Sequence, residues 1–245
     1  MKLLVDMGNT RVKWQLRDAG GESLSAGSGG IDEAGLFSTL VSGASEISAV
    51  AVSTVASESR RDRLCERLAA ITNAPVRFYW TESRRGELSC AYPDPGTMGV
   101  DRWHALYGAW LRCRSALAVV DAGSAITVDF VNHHGQHQGG YIFSGKQMML
   151  RSLRQDAARI GYGEAVTRDA SPGTTTTECV HHGLRWLWQA IVRQLNAEVA
   201  GRGLASMLVT GGDAPDLLDA GLAAEWVPDL VLDGLAAIDE ESTTA

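Results

Sequence analysis

One short phrase occurs twice in this chain of 245 residues, and the pair restricts the fold more than any other feature. The first copy is Leu3-Leu4-Val5-Asp6-Met7-Gly8-Asn9-Thr10, and the second is Ala118-Val119-Val120-Asp121-Ala122-Gly123-Ser124-Ala125. Each runs from apolar residues into an aspartate, any residue, a glycine and small residues. Such a run reads as a buried strand that delivers its aspartate to the rim of a sheet. The glycine permits a sharp turn and lets a bulky anion approach the backbone amides. Neighbouring hydroxyls and amides then bind phosphate oxygens, while the carboxylate holds a hydrated divalent cation. One Asp-x-Gly is an ordinary turn. Two copies, one opening each half of the chain, predict a duplicated α/β fold that clamps a nucleotide.

The surrounding sequence is consistent with two such halves. Strands are expected over 2–6, 11–18, 22–27, 47–52 and 76–80, with a short helix over 32–40 and an amphipathic one over 58–71. A Pro/Gly loop over 92–99 leads to a helix over 100–112. The second half repeats the theme. Strands end at Asp121 and cover 126–131 and 141–143, a polar turn occupies 133–138, and helices follow at 146–160 and 177–199. Met207 to Val209 reads as a strand, and 226–232 as a last one. The joint near 112–115 has no low-complexity linker, so the expected domains are 1–112 and 113–245. The predicted architecture is two β-sheet domains flanked by helices, with a nucleotide cleft between them.

Composition excludes several alternatives. Hydrophobic content of 45% with 21% charged residues is that of a soluble globular protein. A formal net charge of −7 argues against a nucleic-acid-binding surface. No apolar stretch approaches the ~18 residues of a membrane span. The four cysteines (Cys65, Cys90, Cys113 and Cys179) form no C-x-x-C pair, and there is no signal-peptide pattern. That favours reduced thiols and a cytoplasmic location.

No Walker A loop and no G-x-G-x-x-G follow a strand, which argues against the two commonest nucleotide folds. The duplicated strand-turn-strand matches the actin, sugar-kinase and heat-shock ATPase superfold instead. Lys13 lies beside the first turn, either as a point charge for phosphate or as a solvated strand lysine. Thr210-Gly211-Gly212-Asp213 after a strand suits adenosine, because glycines admit a flat base, and it equally suits an ordinary strand-to-helix joint. Asp101 opens a helix, where a carboxylate serves as a cap or as a general base toward a hydroxyl attacking a γ-phosphate. Arg102 beside it is either a bidentate partner for a carboxylate or a surface helix arginine.

Five segments in order resemble the signature of type III pantothenate kinases, also known as the Bvg accessory factor family. They are D-M-G-N-T-R-V-K (6–13), G-V-D-R-W (99–103), D-A-G-S-A-I-T-V-D (121–129), G-G-Y-I-F-S-G (139–145) and T-G-G-D-A (210–214). The resemblance implies ATP-dependent phosphorylation of the primary hydroxyl of pantothenate, the first step of coenzyme A synthesis. It places Asp6 near the phosphates and a water-bridged Mg2+, with Met7, Gly8, Asn9, Thr10, Arg11, Val12, Lys13 and Ser124 binding ATP. Thr127 completes the second phosphate turn. Asp101 is then the proton acceptor, while Tyr92, Gly99, Val100, Asp101 and Arg102 line the pantothenate pocket. Asp121 holds a monovalent cation, K+ or NH4+. Thr176 reaches the pocket of a partner subunit, which implies a homodimer. Ser124 and Ser144 depart from the family's usual threonine and proline, and neither change removes phosphate chemistry.

Other residues carry less. His133, His134 and His137 share an apparent turn and His181-His182 a helix, and each reads as structural or solvated. Trp103 and Trp110 fall on one helix face, which suits packing, and Met148 and Met149 suit core or interface filling. Two alternatives remain open at this point. One is a kinase or phosphatase of the same superfold with another small substrate. The other is a non-catalytic transcriptional accessory factor.

Overall fold

The computed structural model describes residues 1–40, 46–157, 160–165 and 167–244. They fall into two compact units, Met1–Arg112 with Asp229–Ala245, and Cys113–Pro228.

In the first unit, β1 (Lys2–Met7), β2 (Val12–Arg17) and β3 (Ser23–Gly29) form an antiparallel meander. Beyond β1, β4 (Ala49–Thr54) pairs in parallel, the helix α1 (Glu58–Ala69) crosses over, and β5 (Val76–Phe78) pairs in parallel with β4. Side chains alternate across a sheet. Leu3, Val5, Met7, Val12, Trp14, Val50 and Val52 therefore share a core with Leu64 and Leu68 of α1. A short hairpin, β6 (Arg84–Arg85) and β7 (Leu88–Ser89), precedes α2 (Val100–Cys113).

The second unit follows the same path. Its antiparallel strands are β8 (Leu117–Ala122), β9 (Ala125–Val131) and β10 (His137–Ser144). The helices α3 (Lys146–Asp156) and α4 (Thr176–Arg202) lead to β11 (Ser206–Thr210), parallel to β8. A one-and-a-half-turn α5 (Ala214–Asp219) and β12 (Glu225–Trp226) complete it. Thr175 and Glu178 form a reciprocal capping box that fixes where α4 starts. The strand orders are β3-β2-β1-β4-β5 and β10-β9-β8-β11-β12, one topology used twice. The repeated phrase thus marks a true structural duplication.

The chain ends in α6 (Leu230–Thr244), which belongs to the first unit. This differs from the sequence expectation of a strand over 226–232 and a second domain running to 245. Only Glu225–Trp226 is extended; Pro228 and Asp229 then open a helix whose Leu232, Leu235 and Ala236 pack on Leu4 and Ala51. A short apolar run does not distinguish strand from helix by periodicity alone. Leu4 and Ala51 lie on the sheet face opposite the α1 core. β1 is therefore covered on both sides, which is why it reads as a continuous apolar run. α6 crosses α2 at Gly108 and Gly234. A Cβ on Gly108 would sit 2.8 Å from the Leu230 carbonyl oxygen, and one on Gly234 would overlap the carbonyl of His104.

Smaller differences have local causes. Residues 32–40 form turns closing in a 3₁₀ turn at Ser38–Leu40, so Ile31, Leu36, Phe37 and Leu40 plug the first core without a helix. α3 stops at Asp156, and part of the helix expected to 160 lies outside the described residues. His137 is in β10 and not in the preceding turn. Its Nε2 lies 2.9 Å from Asp129 Oδ1, with both side chains buried. His133 and His134 stay in the turn, and no group of three or more potential metal ligands occurs among the described residues. Trp103 and Trp110 are buried.

Candidate active site

The first unit carries two groups of the predicted residues. In the β1–β2 hairpin, Asp6 pairs in register with Lys13 and Met7 with Val12. Opposed residues of an antiparallel pair share a face. Met7 and Val12 enter the apolar core, so any contact they make with a nucleotide is through backbone. Asp6 and Lys13 point to the opposite face. Between them the turn exposes Asn9, Thr10 and Arg11, and the Gly8 amide donates to the Arg11 carbonyl over 3.0 Å. Lys13 Nζ lies 2.9 Å from Asp229 Oδ1.

The second group gathers at the start of α2. Asp94 caps the 3₁₀ turn Pro95–Thr97 through the Gly96 amide, which sets the path into the helix. Asp101 is half-buried in the first turn, and its Oδ1 accepts from the Arg102 amide over 2.8 Å. A Cβ at position 99 would sit 2.7 Å from that oxygen, so only glycine leaves the carboxylate where it is. Arg102 is not a surface residue; it is 5% exposed and donates to the Tyr92 hydroxyl over 2.9 Å. Five of the residues expected to line a pantothenate pocket (Tyr92, Gly99, Val100, Asp101 and Arg102) are thus neighbours.

In the second unit the β8–β9 turn is enclosed by two glycine-dependent contacts. The Gly145 amide donates to the Ser124 carbonyl over 3.0 Å, and Gly145 packs so closely on the Gly123 carbonyl that a side chain is excluded. Gly211 has φ +92° and lies where a Cβ would fall 2.5 Å from Asp121 Oδ1. A left-handed backbone and this close approach both require glycine. The Asp213 amide then donates to the Ala122 carbonyl over 2.7 Å. The motifs at 121–129, 139–145 and 210–214, separate in sequence, therefore meet around Asp121. Burial pushes the Asp213 carboxyl up, nearby Asp216 adds to that, and Lys146 opposes it.

The model of the type III pantothenate kinase family matches residues 2–198. The chain belongs to this family. A type III pantothenate kinase of Marinobacter nauticus is 49% identical over 97% of this chain and 98% of its own length. Among solved structures, a Campylobacter jejuni protein assigned to the Baf family of transcriptional activators aligns with a TM-score of 0.61. It is 20% identical and covers 99% of this chain and 100% of its own. A Sinorhizobium meliloti protein assigned as a 2-dehydro-3-deoxygalactonokinase aligns at 0.62 with 15% identity, covering 99% of each. Likenesses at this identity report the fold, which is the actin-like ATPase and sugar-kinase fold in duplicate.

Two further residues have their places in the fold. Thr176 is exposed at the first residue of α4, on a cavity of about 800 Å³ in the second unit. Ser144, Met149, Leu153, Val180 and Leu187 line the same cavity. Asp229 was missed by sequence reading because its segment looked like a strand; the Pro-Asp helix start was the signal available.

Proposed function

We propose that the family's reaction, ATP-dependent phosphorylation of pantothenate at the head of coenzyme A synthesis, runs in this chain with Asp101 as general base. The observation that carries this reading is the pairing of half-buried Asp101 with buried Arg102 on consecutive residues of α2, Arg102 being braced by Tyr92. Consecutive helical side chains diverge by about 100°. That divergence suits a substrate with a hydroxyl at one end and a carboxylate at the other. Arg102 binds the carboxylate and Tyr92 orients the guanidinium. Asp101 takes the proton from the primary hydroxyl as its oxygen bonds to the γ-phosphorus and the bond to the β–γ bridging oxygen breaks, releasing ADP.

The hairpin residues hold the donor. Gly8, Asn9, Thr10 and Arg11 offer amides and side chains to phosphate oxygens, Met7 and Val12 offer backbone only, and Lys13 offers a point charge. Ser124 and Thr127 serve the second turn. Asp6 and Asp121 are hard oxygen donors at strand ends, which suits Mg2+ held through water and a monovalent cation respectively. When bound, such cations neutralise phosphate charge. A homodimer is supported by apolar side chains exposed on the second unit, among them Ile142 and Trp186, and by Thr176 on its cavity. A cytoplasmic location is supported by four free cysteines.

The test is ADP release with a panel of small hydroxy acids, with and without K+. Turnover confined to pantothenate and dependent on K+ or NH4+ is expected. Equal turnover of unrelated alcohols would contradict the substrate assignment, and sedimentation as a monomer would contradict the dimer.

A further inference from the structure

Along β2, Lys13, Gln15 and Arg17 alternate onto the sheet face that α6 covers. Their heads form a continuous polar chain. Lys13 Nζ lies 2.9 Å from Asp229 Oδ1, and Gln15 Nε2 donates to Asp229 Oδ2 over 3.3 Å. Arg17 Nε donates to Gln15 Oε1 over 2.6 Å, and its Nη2 lies 2.5 Å from Asp233 Oδ1. Both oxygens of Asp229 are therefore engaged, one by a buried amide side chain that is itself anchored. Gln15 is 6% exposed, so the carboxylate is held from a rigid element.

The Lys13–Asp229 pair is itself 41% and 36% exposed, and pairs of this kind add little to stability. What the arrangement does is aim a flexible four-carbon side chain. An ammonium has three N–H donors, so one bond to a fixed carboxylate is compatible with others to phosphate oxygens.

We propose that Asp229, gripped by Gln15, is a positioning residue that holds the Lys13 ammonium at the β1–β2 turn for the phosphates of ATP. The proposal rests on Lys13 being a phosphate ligand, and its test separates the two statements. The dissociation constant of a non-hydrolysable ATP analogue is measured by calorimetry on the full chain, alongside KM for ATP and kcat. Lys13→Met is expected to weaken binding roughly 10- to 100-fold, the range for a charge-assisted hydrogen bond. Asp229→Asn is expected to weaken it about 3- to 10-fold with kcat within about twofold, because ground state and transition state lose the contact equally. In the Lys13→Met background Asp229→Asn should change affinity by less than about twofold, since a positioning residue has nothing left to position. Gln15→Met keeps both charges and should reproduce a part of the Asp229→Asn loss, again only when Lys13 is present. An undiminished Asp229→Asn effect without Lys13, no effect with it, or tighter binding would each overturn the positioning role. Unchanged binding in Lys13→Met would instead sink the phosphate reading of Lys13 and the proposal with it.

Discussion

The Arg102 guanidinium carbon stands 5.7 Å from the centre of the Tyr92 ring while its Nη1 donates to the hydroxyl of that ring over 2.9 Å. Tyr92 comes from the Pro/Gly loop and Arg102 from the helix that the loop feeds, so the pair ties the two segments together. Tyr92→Phe removes the hydroxyl and keeps the ring. We expect KM for pantothenate to rise about 3- to 10-fold, the equivalent of one hydrogen bond, with KM for ATP unchanged. Initial-rate kinetics in both substrates check this, and a change confined to ATP would place the pair outside the pantothenate pocket.

The α2–α6 crossing depends on two glycines. A side chain at position 234 would overlap the His104 carbonyl, a backbone group in a helix that has no room to retreat. Gly234→Ala should cost about 1–3 kcal/mol by overpacking, measured as a shift of the urea midpoint at constant slope. A neutral outcome would mean that the crossing adjusts without strain.

Asp239 makes stability sensitive to acid. Burial pushes its carboxyl up, but Lys2 at 2.5 Å, the Tyr79 hydroxyl at 2.6 Å and Arg77 at 3.0 Å outweigh burial and hold it below the ordinary range. A folded pKa below the unfolded one gives stability that is present above the unfolded pKa and is lost as pH falls through the folded one. Asp239→Asn should therefore lower stability at neutral pH by about 1–3 kcal/mol, the range for losing charge-assisted hydrogen bonds whose cationic partners Lys2 and Arg77 are themselves partly exposed. The difference from wild type should shrink below about pH 4, near the carboxyl's unperturbed value. Chemical denaturation at several pH values tests it. Tyr79, pushed up to about 12 by burial and then by Asp239, stays neutral throughout.

His104 acts in the same direction. It is fully buried with neither ring nitrogen partnered among the described residues, and burial, helped by the charge of Arg85, brings its pKa down to about 3. Below about pH 6.5, the unperturbed value, the unfolded chain takes up a proton that the folded one refuses until about 3, so His104 costs no pH-dependent stability at neutral pH and lowers stability progressively as pH falls between the two. His104→Leu removes two unsatisfied polar atoms and should be neutral to stabilising at pH 7. It should also move acid unfolding, followed by circular dichroism, to lower pH.

The duplicated hairpins and the two sheets were legible because they rest on local signals, apolar runs that end in Asp-x-Gly. A Pro/Gly loop feeding a helix was legible in the same way, whereas the grouping of Tyr92 with residues 99–102 was legible only through the family resemblance. The meeting of Gly145 and Gly211 at the Asp121 turn was legible only as separate motifs, since a close approach has no signal in either segment alone. α6 was misread because Leu230-Val231-Leu232 fits strand and helix equally. Its period emerges only when Leu235, Ala236 and Asp239 are counted with Leu232. Missing α6 hid Asp229, and with it the carboxylate that partners Lys13.

The most direct measurement is the turnover of pantothenate by Asp101→Asn at saturating ATP and K+. The substitution should lower kcat by roughly 10²–10⁴-fold, the contribution of a general base, and leave affinity for the ATP analogue within about tenfold. A kcat equal to wild type would contradict Asp101 as the group that takes the hydroxyl proton.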